Sequence, residues 1–292
     1  MTGKPKAILL ATDLSSRCDR ALDRAVSLSE LWQSKLVILH VLENPQNKDS
    51  DPIVPSWRRP PDPVAVAERE LLADIGTAIT ADVIIDEGDT AEAIVRTADT
   101  KGCDLIVAGI ARDELLGRLI LGTTVDRLLR RAPVPILVVK KRVRRPYSHI
   151  AVAIDFSKPS YRALEAAIRY FPEQGLTVFH AYNPRGLTTD PVAYRRQYRE
   201  FAEQEYETFL KSMDFGETIR RQAHSFIEFG TPADVVSEGV RDMNIDLVVL
   251  GTQRRSALSE VLVGSAAKQI MAELPCDVLL VSESRIAGEA NN

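Results

Sequence analysis

The chain has 292 residues, room for about two domains at ~150 residues each, and its 45% hydrophobic and 27% charged content is ordinary for a globular protein whose halves each bury a core. A formal net charge of −4 gives no reason to expect a nucleic-acid partner, and the three cysteines, Cys18, Cys103 and Cys276, form no C-x-x-C pair, which argues against a disulfide framework or a zinc site. No stretch approaches the ~18 apolar residues of a membrane span, and Asp13 interrupts the first apolar run too early for a signal peptide, so the expected location is the cytoplasm.

From the N-terminus, Ala7 to Ala11 is a continuous apolar run, as expected of a buried parallel strand. Ser15 or Ser16 is placed to cap the helix that follows, which carries Cys18, Ala21, Leu22, Ala25, Leu28 and Trp32 on one face. Leu36 to Val41 reads as a second strand, the Pro-rich stretch Pro45 to Pro63 as a loop, and Val64 to Ile79 as a helix. Val83 to Ile85 is a third strand ended by Gly88, Ala91 to Ala98 a helix, Asp104 to Gly109 a fourth strand, Thr123 to Arg131 a helix and Val134 to Val139 a fifth strand. The basic run Lys140, Lys141, Arg142, Arg144, Arg145 reads as a solvated linker, with contact to nucleic acid or a lipid headgroup as its other reading.

Beyond that run the pattern begins again. Ala7-Ile-Leu-Leu-Ala-Thr-Asp13-Leu-Ser15 returns as His149-Ile-Ala-Val-Ala-Ile-Asp155-Phe-Ser157, an offset of 142 residues. The same offset relates Arg20-Ala-Leu22 to Arg162-Ala-Leu164, Gly88 to Gly230, Asp104 to Asp246, Gly109 to Gly251, Gly122 to Gly264 and Pro133 to Pro275. An internal duplication follows, with units 1–143 and 148–285 and a tail 286–292. Alternating strands and helices imply a doubly wound parallel sheet in each unit. Ligands of such sheets bind beyond the carboxyl ends of the strands where strand order reverses. That rule singles out Thr12, Asp13, Val41 and Gly109 in the first copy, and Ile154, Asp155, Ala181 and Gly251 in the second.

After strand four, Gly109-Ile-Ala-Arg112 is followed by nine residues and Gly122-Thr123-Thr124; in the second copy Gly251-Thr-Gln-Arg254 is followed by nine residues and Gly264-Ser265-Ala266. The second glycine opens a helix, whose free N–H groups and dipole suit a phosphate. Order and spacing here resemble the universal stress proteins, whose nucleotide-binding members carry Gly-x2-Gly-x9-Gly-[Ser/Thr] at this place and an Asp after the first strand. The resemblance spans residues 5 to 140 and 148 to 282 and includes His40-Val41 on strand two. It implies an adenine nucleotide alpha hydrolase-like α/β fold, two tandem five-stranded parallel sheets of order 3-2-1-4-5, which pair through their fifth strands within one chain. It further implies a stress-response module that binds ATP or another adenine nucleotide, with Mg²⁺ as a companion ion, possible homodimerisation and an unknown protein partner. By the resemblance Asp155 sits near adenine or ribose, the Ala181 backbone meets the adenine edge, and Gly251, Gly264, Ser265 and Ala266 hold phosphates; Thr12, Asp13, Val41, Gly109, Gly122, Thr123 and Thr124 are their first-copy counterparts.

One departure stands in both copies: Arg112 and Arg254 replace the middle glycine. At a position needing positive φ this costs ~1–2 kcal/mol; the guanidinium could fill the phosphate space or grip a phosphate. Arg255-Ser256 makes the second copy the better candidate, whereas Asp113-Glu114 in the first would repel phosphate. The alternative function is a nucleotide-free member acting through protein or lipid contacts. A slow ATPase is the third, for which no base near a phosphate stands out. His40 and His180 read as structural, no His has metal-ligand spacing, and Gly117-x4-Gly122 lacks a P-loop lysine. Tyr194, Tyr198, Phe201, Phe209 and Met213 form an aromatic stripe read as core packing, or else as an interaction face bordered by Arg195, Arg196 and Arg199.

Overall fold

A computed structural model describes residues 3–15, 18–42, 62–75, 79–109, 111–112, 119–120, 123–182, 191–252 and 265–282. In the first half β1 (Ala7–Thr12), α1 (Asp19–Trp32), β2 (Lys35–Leu42), α2 (Pro63–Ile75), β3 (Asp82–Glu87), α3 (Thr90–Thr100) and β4 (Leu105–Gly109) follow one another. A small ladder, β5 (Ala111–Arg112) with β6 (Leu119–Ile120), precedes α4 (Thr123–Arg131) and β7 (Ile136–Val139). The second half has β8 (His149–Ile154), α5 (Lys158–Tyr170), β9 (Gly175–Tyr182), α6 (Pro191–Lys211), α7 (Gly216–Gln222), β10 (Ala223–Phe229), α8 (Pro232–Asp242), β11 (Leu247–Thr252), α9 (Ser265–Glu273) and β12 (Asp277–Ser282).

The sheet order is β10-β9-β8-β11-β12-β7-β4-β1-β2-β3. Each half therefore has the expected 3-2-1-4-5 order, with β7 and β12 as the fifth strands. Every neighbour is parallel except β7 and β12, which run antiparallel with Leu137 opposite Leu279. The central strands are apolar through their middle positions because both faces are covered: Ile8, Leu10, Val107 and Val249 belong to one core layer, Leu9, Ile106, Val248 and Leu250 to the other. Both layers run through the two halves without a break. Trp32 of α1 packs on Tyr170 and Phe171 at ring separations of 5.7 and 5.5 Å, joining α1 to the end of α5.

The repeated aspartates before β4 and β11 have a structural task. The Asp104 carboxylate accepts the N–H groups of Lys6 and Ala7 at 2.7 and 3.2 Å, and Asp246 accepts those of Ser148 and His149 at 2.9 and 3.2 Å. Each closes the amino end of the neighbouring central strand, whose first donors would otherwise lack partners.

Four expectations are corrected. Of the two cap candidates for α1, Ser16 lies outside the described residues and Ser15 makes no cap: the helix starts at Asp19 behind Cys18, which makes no side-chain cap, and the Ser15 hydroxyl is turned to Asp13. Its mate Ser157 does cap α5, accepting from the Ser160 N–H. Helix α2 is described over Pro63–Ile75, and Ile79, the expected end of the helix, is not helical. Lys140 is no solvated linker residue: it is 4% exposed, with Nζ donating to the carbonyls of Met271 and Leu274. The aromatic stripe of α6 is only partly core. Of its members Phe209 and Met213 are buried, together with Ala202, Tyr206 and Leu210, whereas Tyr198 and Phe201 are exposed and the Tyr194 side chain lies outside those described.

Candidate functional site

At the carboxyl edge of each half the chain makes the same turn. Leu14 and Phe156, directly after Asp13 and Asp155, have φ of 58° and 61°. This left-handed conformation is costly for side chains of that bulk and persists where the surroundings impose it. It folds the chain back so that the Asp carboxylate meets its own downstream residues. The Ser15 N–H and hydroxyl donate to Asp13 Oδ1 at 2.9 and 2.6 Å; the Ser157 N–H and hydroxyl donate to Asp155 Oδ1 at 3.1 and 2.5 Å. In both halves the strand-two histidine locks the end of strand one. Nδ1 of His40 lies 3.0 Å from the Thr12 carbonyl, and Nδ1 of His180 lies 3.0 Å from that of Ile154. A carbonyl only accepts, so each ring carries its proton on Nδ1. Both histidines are structural pins, as the sequence indicated.

The second turn is the richer one. Ser160 donates its hydroxyl to Asp155 Oδ1 at 2.5 Å and receives the Asp155 N–H at 2.9 Å. Although burial pulls the Asp155 carboxyl up, the hydrogen bonds from Ser157 and Ser160 outweigh it and hold the group below the usual carboxylate range. The residue at the Ser160 position in the first half is Cys18. Burial pushes its thiol up to about 11, so it stays protonated beside Asp13. The substitution was visible in the sequence through the 142-residue offset, but its meaning depends on the turn geometry. Phe156 adds a further asymmetry: its ring stacks on His180 at 4.1 Å and meets Phe209 of α6 at 5.5 Å. A cavity of about 470 Å³ opens beside it, bounded by Phe201, Gln204, Thr208 and Phe209.

Gly251 has a structural reason of its own. A Cβ there would lie 2.4 Å from the carbonyl carbon and oxygen of Pro159, so the end of β11 packs directly on the first turn of α5. Register brings the second-half candidates to one edge: Gly251 follows Leu250, which pairs with Ala153, and Ala181 follows His180, which pairs with Ile154. In the first half Thr12 pairs with His40, so Asp13 and Val41 sit just beyond, and Gly109 pairs with Val139. Thr123 and Thr124 open α4, and Ser265 and Ala266 open α9. Arg254, Gly122 and Gly264 lie outside the described residues. Arg112 is in the β5–β6 ladder, paired with Leu119. Nothing in the sequence pattern signalled this ladder. Among the described residues no His, Cys, Asp and Glu cluster could hold a metal ion, and no helix is long and apolar enough to cross a membrane.

This twice-built edge has relatives. The family model described as "Universal stress protein family" matches residues 5–140 and again 146–282. The chain belongs to the universal stress protein family. Among its curated relatives, the universal stress protein E homolog of Haemophilus influenzae is 25% identical over 217 residues, covering 69% of each chain. Universal stress protein E of Photorhabdus laumondii is 24% identical over 203 residues, 65% of each. A universal stress protein from Archaeoglobus fulgidus superposes with a TM-score of 0.67 at 20% identity, covering 96% of this chain and 99% of that one. A structure from Pseudomonas aeruginosa gives 0.60 at 23%, covering 95% and 93%. The last two therefore share the two-unit fold over nearly their whole length.

Proposed function

We propose that this tandem universal stress protein binds an adenine nucleotide through its second half, with units 1–143 and 148–285 working together in the cytoplasm. The observation that carries the reading is the Asp155 turn. Its carboxylate is held ionised at the switch point of the sheet, and all its hydrogen bonds among the described residues go to Oδ1. Oδ2 is thereby the acceptor for a ribose hydroxyl or the adenine amino group, with the Ala181 backbone one strand away. In this reading the phosphates take the amino end of α9, where Ser265 and Ala266 offer backbone N–H groups and the helix dipole, and Gly251 with Gly264 and Arg254, the last two outside the described residues, complete the phosphate ligands. Mg²⁺ would enter with the nucleotide and neutralise its phosphates. Thr12, Asp13, Val41, Gly109, Arg112, Gly122, Thr123 and Thr124 form the weaker first-half counterpart. There Cys18 takes the place of a hydroxyl donor, and the β5–β6 ladder ties up the start of the loop.

That ladder favours a second reading for the first half, a nucleotide-free unit that serves contacts with other proteins. In the whole chain, pairing of the fifth strands stands in for the association of two single-unit subunits, and a further homodimer would use other surfaces. Calorimetric titration with ATP and Mg²⁺ tests the proposal. Saturable binding lost in Asp155→Ala and in Gly264→Asp supports it. No binding by the wild type, or binding unchanged in both variants, overturns it in favour of the contact-only reading.

A further inference from the structure

The antiparallel pairing of β7 and β12 is centred on Leu137 opposite Leu279, which are equivalent positions of the repeat. A pseudo-two-fold axis passes between them, so each feature at one end of the seam has a mate at the other. At one end lies a closed polar hub. Asp277, 0% exposed, accepts the N–H groups of Lys140 and Lys141 at 2.8 and 2.9 Å and the Tyr147 hydroxyl at 2.7 Å. The Arg24 guanidinium lies over the Tyr147 ring at 3.9 Å. Arg20 and Arg24 hold the carbonyls of Lys140 and Arg145.

At the other end the mates of Arg24, Lys140, Tyr147 and Asp277 are Ala166, Ser282, Pro5 and Pro135. All four line a cleft of about 390 Å³. The cleft thus replaces a stacked guanidinium and phenol, the groups that fill the hub, and its volume falls in the range of small-molecule sites. Its walls are apolar at Val134, Pro135, Ala166 and Val281, and its rim is basic, with Lys4, Lys6, Arg162 and Arg169 against Asp104 and Glu165. The cations outnumber the acids four to two, so the rim stays basic after the ion pairs that Glu165 makes with Arg162 and Arg169. Glu165 lies 2.8 Å from Arg162 and 3.5 Å from Arg169, while Asp104 accepts the N–H groups of Lys6 and Ala7. Arg162 is moreover the mate of Arg20, so the cleft keeps the arginine that grips an oxygen in the hub. Tyr170, whose phenol burial and the nearby Asp104 push up to about 12, remains a hydroxyl donor on the wall.

We propose that this cleft binds a small planar organic anion, an aromatic carboxylate or sulfonate. Its ring takes the volume that Tyr147 and Arg24 fill at the hub, and its charge meets Arg162, Arg169 and Lys6. The site shares no lining residue with Asp155, Ala181 or Gly251 and is independent of the nucleotide reading.

The test is calorimetric titration of the full chain with 2-naphthalenesulfonate, without nucleotide. One saturable site per chain is expected. Ala166→Leu, which fills cleft volume without adding charge, should weaken it at least about tenfold, and R162Q/R169Q should weaken it about as much by removing the guanidinium donors. Phe201→Ala controls for uptake at the exposed aromatic patch and should leave the affinity unchanged. The double glutamine variant decides the matter if Ala166→Leu fails to fold. Absence of saturation up to millimolar probe, an affinity untouched by R162Q/R169Q, or loss on Phe201→Ala overturns the proposal.

Discussion

The two Asp turns and the two ends of the seam make the same comparison at different scales. In each, the backbone of the duplicated unit is kept while the side chains diverge. Leu14 and Phe156 share a left-handed φ, and both strand-two histidines pin the preceding strand, yet Asp155 has a Ser160 hydroxyl where Asp13 has the Cys18 thiol. At the seam, Asp277 with its partners closes one end while Pro135 with its neighbours leaves the other open. Duplication within one chain allows this because the two copies need no longer carry the same residue at the axis, as a homodimer's must.

The largest effect should come from breaking the closed end. Asp277→Ala leaves the Tyr147 hydroxyl and two linker N–H groups without their acceptor and Arg24, 3.4 Å from that carboxylate, as an uncompensated charge whose side chain is only 5% exposed. Loss of one partner from such a buried cluster costs about 3–5 kcal/mol, which chemical denaturation will read. Pro135→Ala, at the mate position on the cleft, should cost well under half of that. Equal losses would show that the two ends are not energetically distinct.

Gly251→Ala comes next and separates two explanations of a motif glycine. Its new Cβ would lie 2.4 Å from the Pro159 carbonyl, and overpacking of this kind costs about 1–3 kcal/mol. The loss should appear in thermal unfolding without nucleotide. A variant as stable as the wild type without ligand would return Gly251 to a purely ligand-facing role.

That glycine also shows how far the sequence could be read. The 142-residue offset and the helices over Ala91 to Ala98 and from Thr123 were legible, because apolar runs and helical periodicity respond to local burial, whereas the strand order 3-2-1-4-5 followed only from the resemblance to the universal stress proteins. The Asp of each turn was legible too. Its hydroxyl partners were not, because Ser160 reaches Asp155 only after a left-handed residue reverses the chain. Lys140 was misread for a related reason. A basic run looks solvated until the β7–β12 pairing buries its first member between the two halves, and burial pushes the Lys140 ammonium down to about 8. Ser15 failed as a cap although its mate succeeds, because an identical backbone position presents different downstream residues.

The turn comparison can be sharpened by pH. Ser160→Ala removes one of the donors that hold Asp155 below the usual carboxylate range. A depressed carboxylate contributes stability that is present above its unfolded value of ~3.9 and is lost as pH falls through the folded value. The variant should therefore lose about 1–2 kcal/mol at neutral pH, and the difference should shrink on acidification as Asp155 takes up a proton in both proteins. Carboxylate titration by NMR should show the Asp155 midpoint moving upward in Ser160→Ala. A difference in stability that stays constant to low pH would mean that Ser160 acts by packing rather than through the carboxylate. Cys18→Ser, which supplies the missing hydroxyl at Asp13, should shift stability the other way.

The smallest effect belongs to a pair that lies across the axis itself. Asp126 of α4 and Lys268 of α9 are equivalent positions of the repeat, and they face each other at 3.1 Å. Identical residues at such a site would repel or merely tolerate each other; here divergence has produced opposite charges. Asp126 is also bonded to Arg130, and these two cations hold its carboxyl down against the opposing pull of burial. With Lys268 almost half exposed, solvent and salt screen the attraction, so a double-mutant cycle on Asp126→Asn and Lys268→Gln should return a coupling of about 0.2–1 kcal/mol that fades at high ionic strength. The more informative variant is Lys268→Asp. It restores the like-with-like axis of a symmetric pair and should destabilise the seam by more than Lys268→Gln, although both remove the same ion pair. If the two variants unfold at the same denaturant concentration, charge at the axis plays no part in matching the halves, and the Asp277 hub alone distinguishes one end of the seam from the other.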